Sequence, residues 1–243
     1  MSLYTYAPIL QLVQDACVRL NQVKPIGVYD SADENAIIMG SQANAIGPML
    51  QDVFKWQQFR KAYSVTGDGV ETAFALPDDF SRFSDMTGWS LANRRPVVIV
   101  NDVQWASVKA WVSQSFFINP ACRIFDDKLQ FITPPALNEV IEFEYISHDW
   151  VIDGASPTMT KQSLDQNSDI PMHDSVLFTF ALMVKWLETR GMPTQTVQQD
   201  FNERFMQITS RNQMAGTLSL NGGTLTGFRY LGGANMPDTG FGP

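Results

Sequence analysis

At 243 residues the chain has room for one large domain or two small ones. Hydrophobic residues make up 44% and charged residues 17%, which suits a packed core and excludes a chain kept unfolded by its own charge. A net charge of −8 argues against a cationic surface built to grip nucleic acid.

Taken in chain order, the first predicted helix carries Ile9, Leu12, Val13, Ala16, Cys17 and Leu20 on one face. Pro8 suits its first turn, and Pro25 with Gly27 stops it. Ser31 followed by Glu34 reads as a capping box that opens a second helix. The inward stripe of that helix is Ala36, Gly40, Ala43, Gly47, Leu50 and Phe54, small enough at first to let a neighbouring helix approach closely. Gly47-Pro48 is expected to kink or break it, and Trp56 and Phe59 to plug the end of a bundle.

A β region is expected from about Tyr63 to Val151. Gly67-Asp68-Gly69 reads as a turn before a strand at Thr72 to Leu76, and Pro77-Asp78-Asp79 as the start of a loop or helical turn through Phe83. Pro96 to Val100 reads as a buried strand, and Trp105 to Val112 fits helix or strand. Cys122 to Phe125 can pair back through an Asp126-Asp127 turn. Leu129 to Val151 then reads as two antiparallel strands joined by Pro134-Pro135-Ala136-Leu137-Asn138-Glu139, with Glu142 and Glu144 on the wet face between Ile141, Phe143 and Tyr145.

Asp153 to Asp169 is polar and is expected to be an exposed, mobile linker. A third helix runs from near Pro171 to Gly191 with Val176, Leu177, Phe180, Val184 and Leu187 inward. A fourth starts near Thr194 or Thr196, with Val197, Phe201, Phe205 and Ile208 on one side and Gln198, Asp200, Glu203 and Arg204 on the other. From Ala215 the composition changes: this stretch holds eight of the sixteen glycines and two charged side chains, Arg229 and Asp238. Leu218, Leu220, Leu225, Phe228, Tyr230, Leu231 and Phe241 are apolar anchors on this flexible composition, which points to ordering on a partner surface. The fold class expected is α+β: a four-helix bundle (1–62 and 153–214) with an inserted antiparallel β module (63–152) and an extended C-terminal tail (215–243).

Signals of catalysis are weak. His148 and His173 have no second ligand at metal spacing, and there is no Gly-x-Ser-x-Gly elbow or phosphate loop, so neither metal nor cofactor is expected. Asp78-Asp79, Asp126-Asp127 and the set Glu139, Glu142 and Glu144 could supply glycosidase-type acid–base chemistry, but each has a turn, cap or strand-face explanation. Cys17 and Cys122 read as separate, reduced core thiols. No basic stretch followed by an apolar one opens the chain, and the apolar run Val176 to Leu187 is too short for a membrane and contains Lys185, so cytoplasmic folding is expected. Trp89, Trp105, Trp111, Phe116 and Phe117 lie where regular pattern is weak and are candidates for a subunit interface.

Five segments together carry a resemblance. They are Lys55-Trp56-Gln57-Gln58-Phe59, LPDDF at Leu76 to Phe80, LQFITPP at Leu129 to Pro135, FEYISHDWV at Phe143 to Val151, and Ile170-Pro171 before the last helices. In this order the chain resembles, over about residues 5 to 212, the head-to-tail adaptors of tailed bacteriophages, of the tail tubular protein A or gatekeeper type. The resemblance implies a non-enzymatic virion protein, assembled in the host cytoplasm and forming a ring, usually of twelve subunits, beneath the portal protein. It implies helices packed around the DNA channel, a β module facing a downstream tail or nozzle protein, and a C-terminal segment embracing the portal. DNA would pass without sequence recognition, for which an acidic lumen is suited. The tail is longer and richer in glycine than that pattern, and Trp105 to Phe117 has no counterpart in it. Another neck or tail-completion protein, a tail-borne cell-wall glycosidase and a glycan-binding module are the alternatives.

Overall fold

The computed structural model describes residues 6–84, 87–110 and 120–212. Helix α1 (Ile9–Arg19) buries Ile9, Leu12, Val13, Ala16 and Cys17, the face its spacing predicts, with Pro8 as the capping residue. Helix α2 (Glu34–Val53) starts later than expected. Its cap is Asp33, which accepts from the Asn35 N–H, while the Ser31 hydroxyl accepts from the Asp33 N–H one step upstream.

Pro48 does not break α2, which runs on to Val53. The segment around it is held from outside. The Asn44 carboxamide donates to the Leu164 carbonyl (3.0 Å) and accepts from the Leu164 N–H (2.7 Å). The Gly47 carbonyl accepts from His173 Nε2 (3.1 Å), and Gln51 Nε2 donates to the Ser147 carbonyl. These bonds anchor the turns on either side of Pro48, which itself supplies no N–H to the helix. The two glycines of the α2 stripe do not receive a helix either. A Cβ on Gly40 would meet Val28 and Tyr29, and one on Gly47 would stand 2.4 Å from the Trp150 ring.

The strands form three sheets. The first has the order β1 (Arg60–Thr66), β9 (Val140–Ser147), β4 (Trp89–Ser90), β5 (Arg95–Pro96), with β3 (Phe80–Phe83) also paired to β9. The second has the order β2 (Ala73–Ala75), β8 (Lys128–Phe131), β7 (Ala121–Phe125), β6 (Val98–Ile99). The third comprises β11 (Thr160–Lys161), β10 (Val151–Ile152) and β12 (Ile170–Pro171).

The β7–β8 hairpin is as expected. Phe125 pairs with Lys128, and Asp126 and Asp127 take φ of 51° and 52°, the mirror-image turn that matches strand twist. The expected Leu129–Val151 hairpin is not formed, because β8 and β9 belong to different sheets. Their apolar faces meet across a shared core of Val65, Val97, Cys122, Leu129, Phe131, Ile141 and Phe143. Pro134 and Pro135 lack the N–H groups that a hairpin ladder would use next, and the connection instead lies on the β1–β2 turn. There the Gly67 N–H donates to the Glu139 carbonyl (2.8 Å), and a Cβ on Gly67 would meet the Ala136 carbonyl at 2.4 Å. Glu142 and Glu144 do form the wet face of β9.

Pro96 to Val100 is not one buried strand. The chain crosses there from the first sheet (β5) to the second (β6), and Val98 and Ile99 are exposed while Val97 is buried. Phe80–Phe83 is a strand rather than a helical turn, and Asp102–Ala110 is helix α3. The expected mobile linker is tied down: it forms β11 and joins β10 to β12, with Leu164 and Asp169 buried.

Helix α4 (Ser175–Thr189) is capped by Asp174 and is contacted by α1, α2 and α5 (Gln195–Asn212), whereas α1 and α2 meet more narrowly, with Cys17 Sγ 3.6 Å from Met39 Sδ. Surrounded in this way, α4 buries a broad arc of Leu177, Phe178, Thr179, Ala181, Leu182, Met183 and Trp186. Of the stripe expected inward, only Leu177 is fully buried, while Val176, Phe180, Val184 and Leu187 are half-buried. The helical core also takes in Ile146, Trp150, Val151 and Leu164 from strands and loops.

The fold class therefore differs from a four-helix bundle with a β insert. The described residues form five α-helices and three sheets of twelve strands, α+β but strand-rich, with helices and strands mixed in the larger core and a second core between the sheets. No helix among them is long and apolar enough to cross a membrane.

Candidate functional site

The LPDDF and SHDW segments, distant in sequence, meet around Asp79. A turn closed by the Phe80 N–H on the Pro77 carbonyl directs Asp79 toward β1 and β9. Its carboxylate accepts from Lys61 Nζ (2.5 Å) and the Tyr145 hydroxyl (2.8 Å), and its carbonyl from the His148 N–H (2.8 Å). Burial pushes the Asp79 carboxyl up, but the bonds from Lys61, Ser147 and Tyr145 outweigh it and hold it at about 2. Burial, then the Asp79 charge, raises the Tyr145 phenol above its ordinary range. His148 Nδ1 lies 3.0 Å from Asp149 Oδ1, and the Thr160 hydroxyl donates to Asp149 Oδ2 (2.8 Å). This network fastens β1, β3, β9 and β11 to one another.

Lys161 does similar work in the third sheet. Its ammonium faces Asp169 (2.8 Å), Asp153 (3.6 Å) and Asp165. Asp169 is fully buried and also accepts from the N–H groups of Asp165, Gln166 and Gly154. Burial pushes its carboxyl up, yet Lys161 and these N–H groups bring it to about 2. At the foot of α4, Asp174 caps the helix and takes two bonds from the Arg204 guanidinium (3.1 and 2.9 Å), so Arg204 faces inward rather than with its polar neighbours. Glu139, expected in the turn before β9 and one of the carboxylates weighed for acid–base chemistry, is buried and accepts from the Ser90 hydroxyl, the Asn93 carboxamide and the Ala136 N–H.

His173 is enclosed by Trp56, Phe59, Trp150 and Phe178. Its Nε2–H donates to the Gly47 carbonyl, Nδ1 has no partner, and burial lowers it to about 4. The two thiols lie in different cores and are free: burial, then Asp33, raises Cys17, and burial pushes Cys122 to about 12. Among the described residues no group of three or more His, Cys, Asp or Glu side chains could hold a metal ion.

Two surface features stand apart from these clusters. The first is the β6–β7 end of the second sheet with the helix that follows it. Val98, Ile99, Ile124 and Phe125 are about half exposed there, and Val103 on α3 is 80% exposed. The Arg123 guanidinium is stacked between the Trp105 ring (4.5 Å) and the Phe125 ring (4.4 Å) and reaches Asp102 (3.4 Å). Of the interface candidates, Trp105 is thus a buried support for Arg123 rather than an exposed anchor, and Trp89 is half-buried in β4. Trp111, Phe116 and Phe117 lie outside the described residues, as do Leu218, Leu220, Leu225, Phe228, Tyr230, Leu231 and Phe241.

The second feature is a cleft of about 800 Å³ where the end of α2, the start of β1, β3 and the end of α5 converge. Asp52, Val53, Phe54, Lys55, Arg60, Arg82 and Asn212 line it, with Gln57, whose Nε2 donates to the Asn212 carbonyl (2.9 Å). Reading the sequence did not single out Lys61, Lys161, Asp169, Arg123 or Asn212. Lys61 meets Asp79, and Arg123 meets Trp105 and Asp102, only through the tertiary fold. In comparisons with known proteins, no family model matches the chain and no curated protein is similar to it.

Proposed function

We propose that the chain is a structural head-to-tail adaptor of a tailed bacteriophage, a ring beneath the portal that joins capsid to tail and continues the DNA channel. The observation that carries this reading is the apolar exposure at the β6–β7 edge of the second sheet and on α3, where Val98 and Phe125 stand exposed on one face, Ile99 and Ile124 on the other, and Val103 on the helix. Around them the rigid Trp105–Arg123–Phe125 stack supplies the aromatic and arginine content that subunit interfaces favour. The five segments quoted for the family resemblance support the same reading. The LPDDF and SHDW segments act as a clasp between sheets, a role suited to a scaffold that must keep its shape within a virion neck.

The partners on this reading are the portal protein, a downstream tail or nozzle protein, and further copies of the chain. The test is electron microscopy of the purified protein mixed with its portal. A ring on the portal's narrow end is expected, and Phe125→Asp is expected to reduce ring formation while the fold survives. A stable monomer that ignores the portal and clears peptidoglycan would overturn the proposal in favour of a tail-borne glycosidase.

A further inference from the structure

Two exposed patches at opposite ends of β1 complement each other. At the Arg60 end lies the cleft of about 800 Å³, whose wall holds the cations Lys55, Arg60 and Arg82 against one carboxylate, Asp52. On a chain of net charge −8 this is a local reversal of sign. Asp52 answers Arg82 at 2.9 Å. The link of Arg60 to Glu144 is long, 3.9 Å, between side chains 40% and 52% exposed, and so holds the guanidinium loosely. Val53, 61% exposed, adds an apolar spot beside the cations.

At the other end, Thr66 leads into the turn 67–71 between β1 and β2. Asp68, Val70 and Glu71 are exposed there, Val70 at 81%, and Leu137 from the β8–β9 connection lies beside them at 71%. The turn is preformed. Asp68 Oδ1 accepts from the Val70 N–H (2.8 Å) and the Glu71 N–H (2.7 Å), the Gly69 N–H donates to the Pro135 carbonyl (3.0 Å), and the Asn138 N–H to the Gly67 carbonyl (2.9 Å). The Glu71 and Val70 N–H groups hold the Asp68 carboxyl below its ordinary range. Two carboxylates and two apolar side chains thus stand on one rigid turn. Arg60 and Thr66 are the two ends of β1, six steps of ~3.3 Å apart, so the turn stands ~20 Å from the cleft and cannot reach it within one molecule. The patches can meet only between copies.

We propose that the cleft receives the β1–β2 turn of a second copy of the chain, with Asp68 and Glu71 against Lys55, Arg60 and Arg82, and Val70 against Val53. The carboxylates meet a wall of opposite sign, and exposed apolar side chains are covered on both sides. The two patches differ and sit at opposite ends of β1, so the contact is head-to-tail, the kind from which closed rings are built. A two-fold pair would instead need one patch complementary to itself. The inference rests on the adaptor reading for what the assembly is, not for whether the contact forms.

The test is sedimentation velocity of the full chain over a concentration series, with far-ultraviolet dichroism to show that each variant is folded. Concentration-dependent association, weaker at higher salt, is expected of the natural chain. Asp68→Asn with Glu71→Gln removes both charges and keeps the Oδ1 acceptor that closes the turn. Lys55→Glu with Arg60→Glu reverses the wall. Each double variant alone should associate about tenfold or more weakly. An equimolar mixture of the two should form one-to-one pairs and nothing larger, because the unaltered turn of the cleft variant meets the unaltered cleft of the turn variant. A natural chain that is monomeric at every concentration, association unchanged in both variants, or a mixture that pairs no better than its components would each overturn the proposal. So would rings formed on the portal by both variants, which would leave the adaptor reading standing. Pairing in solution with no ring on the portal supports the contact and counts against the adaptor reading alone.

Discussion

Alanine at position 47 tests how α2 meets the rest of the molecule. In a solvent-facing helix, Gly→Ala raises stability by ~1 kcal/mol. Here the added Cβ would stand 2.4 Å from Cη2 and Cζ2 of Trp150 and 2.5 Å from Cε2, all in the six-membered ring of the indole. That ring cannot swing aside cheaply. Trp150 is 1% exposed and lies against His173 (6.0 Å between ring centres) and Phe178 (6.2 Å). Overpacking of this kind costs ~3 kcal/mol at the upper end of its usual range, which leaves a net loss of ~2 kcal/mol after the helix gain. For a chain of this size the melting temperature should fall by about 4–8 °C, measured by calorimetry or far-ultraviolet dichroism. Trp150→Leu removes the clashing atoms, so in that background Gly47→Ala should cost at least ~1 kcal/mol less. A Gly47→Ala protein that melts higher than the parent, or strict additivity in the double variant, would refute the seating of Trp150 on α2.

Three further outcomes follow from the buried charges and the turn. His173 is held at about 4, below its ordinary 6.5, so the folded state resists taking up a proton. Stability should be flat above about pH 6.5 and fall as pH drops toward about 4, by about 3 kcal/mol in all. Urea midpoints at pH 7 and pH 5 check this, and His173→Phe with an undiminished pH slope would contradict it. Lys161→Met strands the buried Asp169 carboxylate and should cost ~3 kcal/mol in urea unfolding, whereas Asp165→Asn, at an exposed partner, should change stability by less than ~0.5 kcal/mol. Asp127→Val forces a β-branched residue to φ 52° and should cost ~1–2 kcal/mol, while Asp127→Gly should be neutral or stabilising in the same thermal melts.

The parts of the fold legible from sequence are those decided by neighbours in the chain. The buried face of α1, the Asp126-Asp127 hairpin and the wet Glu142 and Glu144 face of β9 each rest on spacings of a few residues. The candidate sites were less legible. Trp105 is conspicuous by composition, but its stacking on Arg123 depends on β7 passing beneath α3. Glu139 has the two-residue phase of the buried Ile141 and Phe143, but the sequence does not show that Ser90 and Asn93 arrive from β4 and its turn to receive its carboxylate. Lys161 and Asp169 lie in a polar stretch that composition alone marks as loose, and their mutual charge compensation is what orders it.

By itself the sequence determined where α1, α4, α5 and the β7–β8 hairpin lie and which side of α1 and β9 is apolar, because 3.6-residue and two-residue periods are properties of the local backbone. It could not determine what each apolar side covers. The alternation in Leu129–Phe131 and Ile141–Tyr145 fits a hairpin and a pair of facing sheets equally well, and only the closure of the second core placed them in separate sheets. The small stripe of α2 permits close approach without naming the neighbour, and Trp150 rather than a helix took the place. Which arc of α4 is buried was likewise set by the three helices that surround it. Burial is a relation between distant segments, and a period in one segment carries the direction of that relation but not its partner.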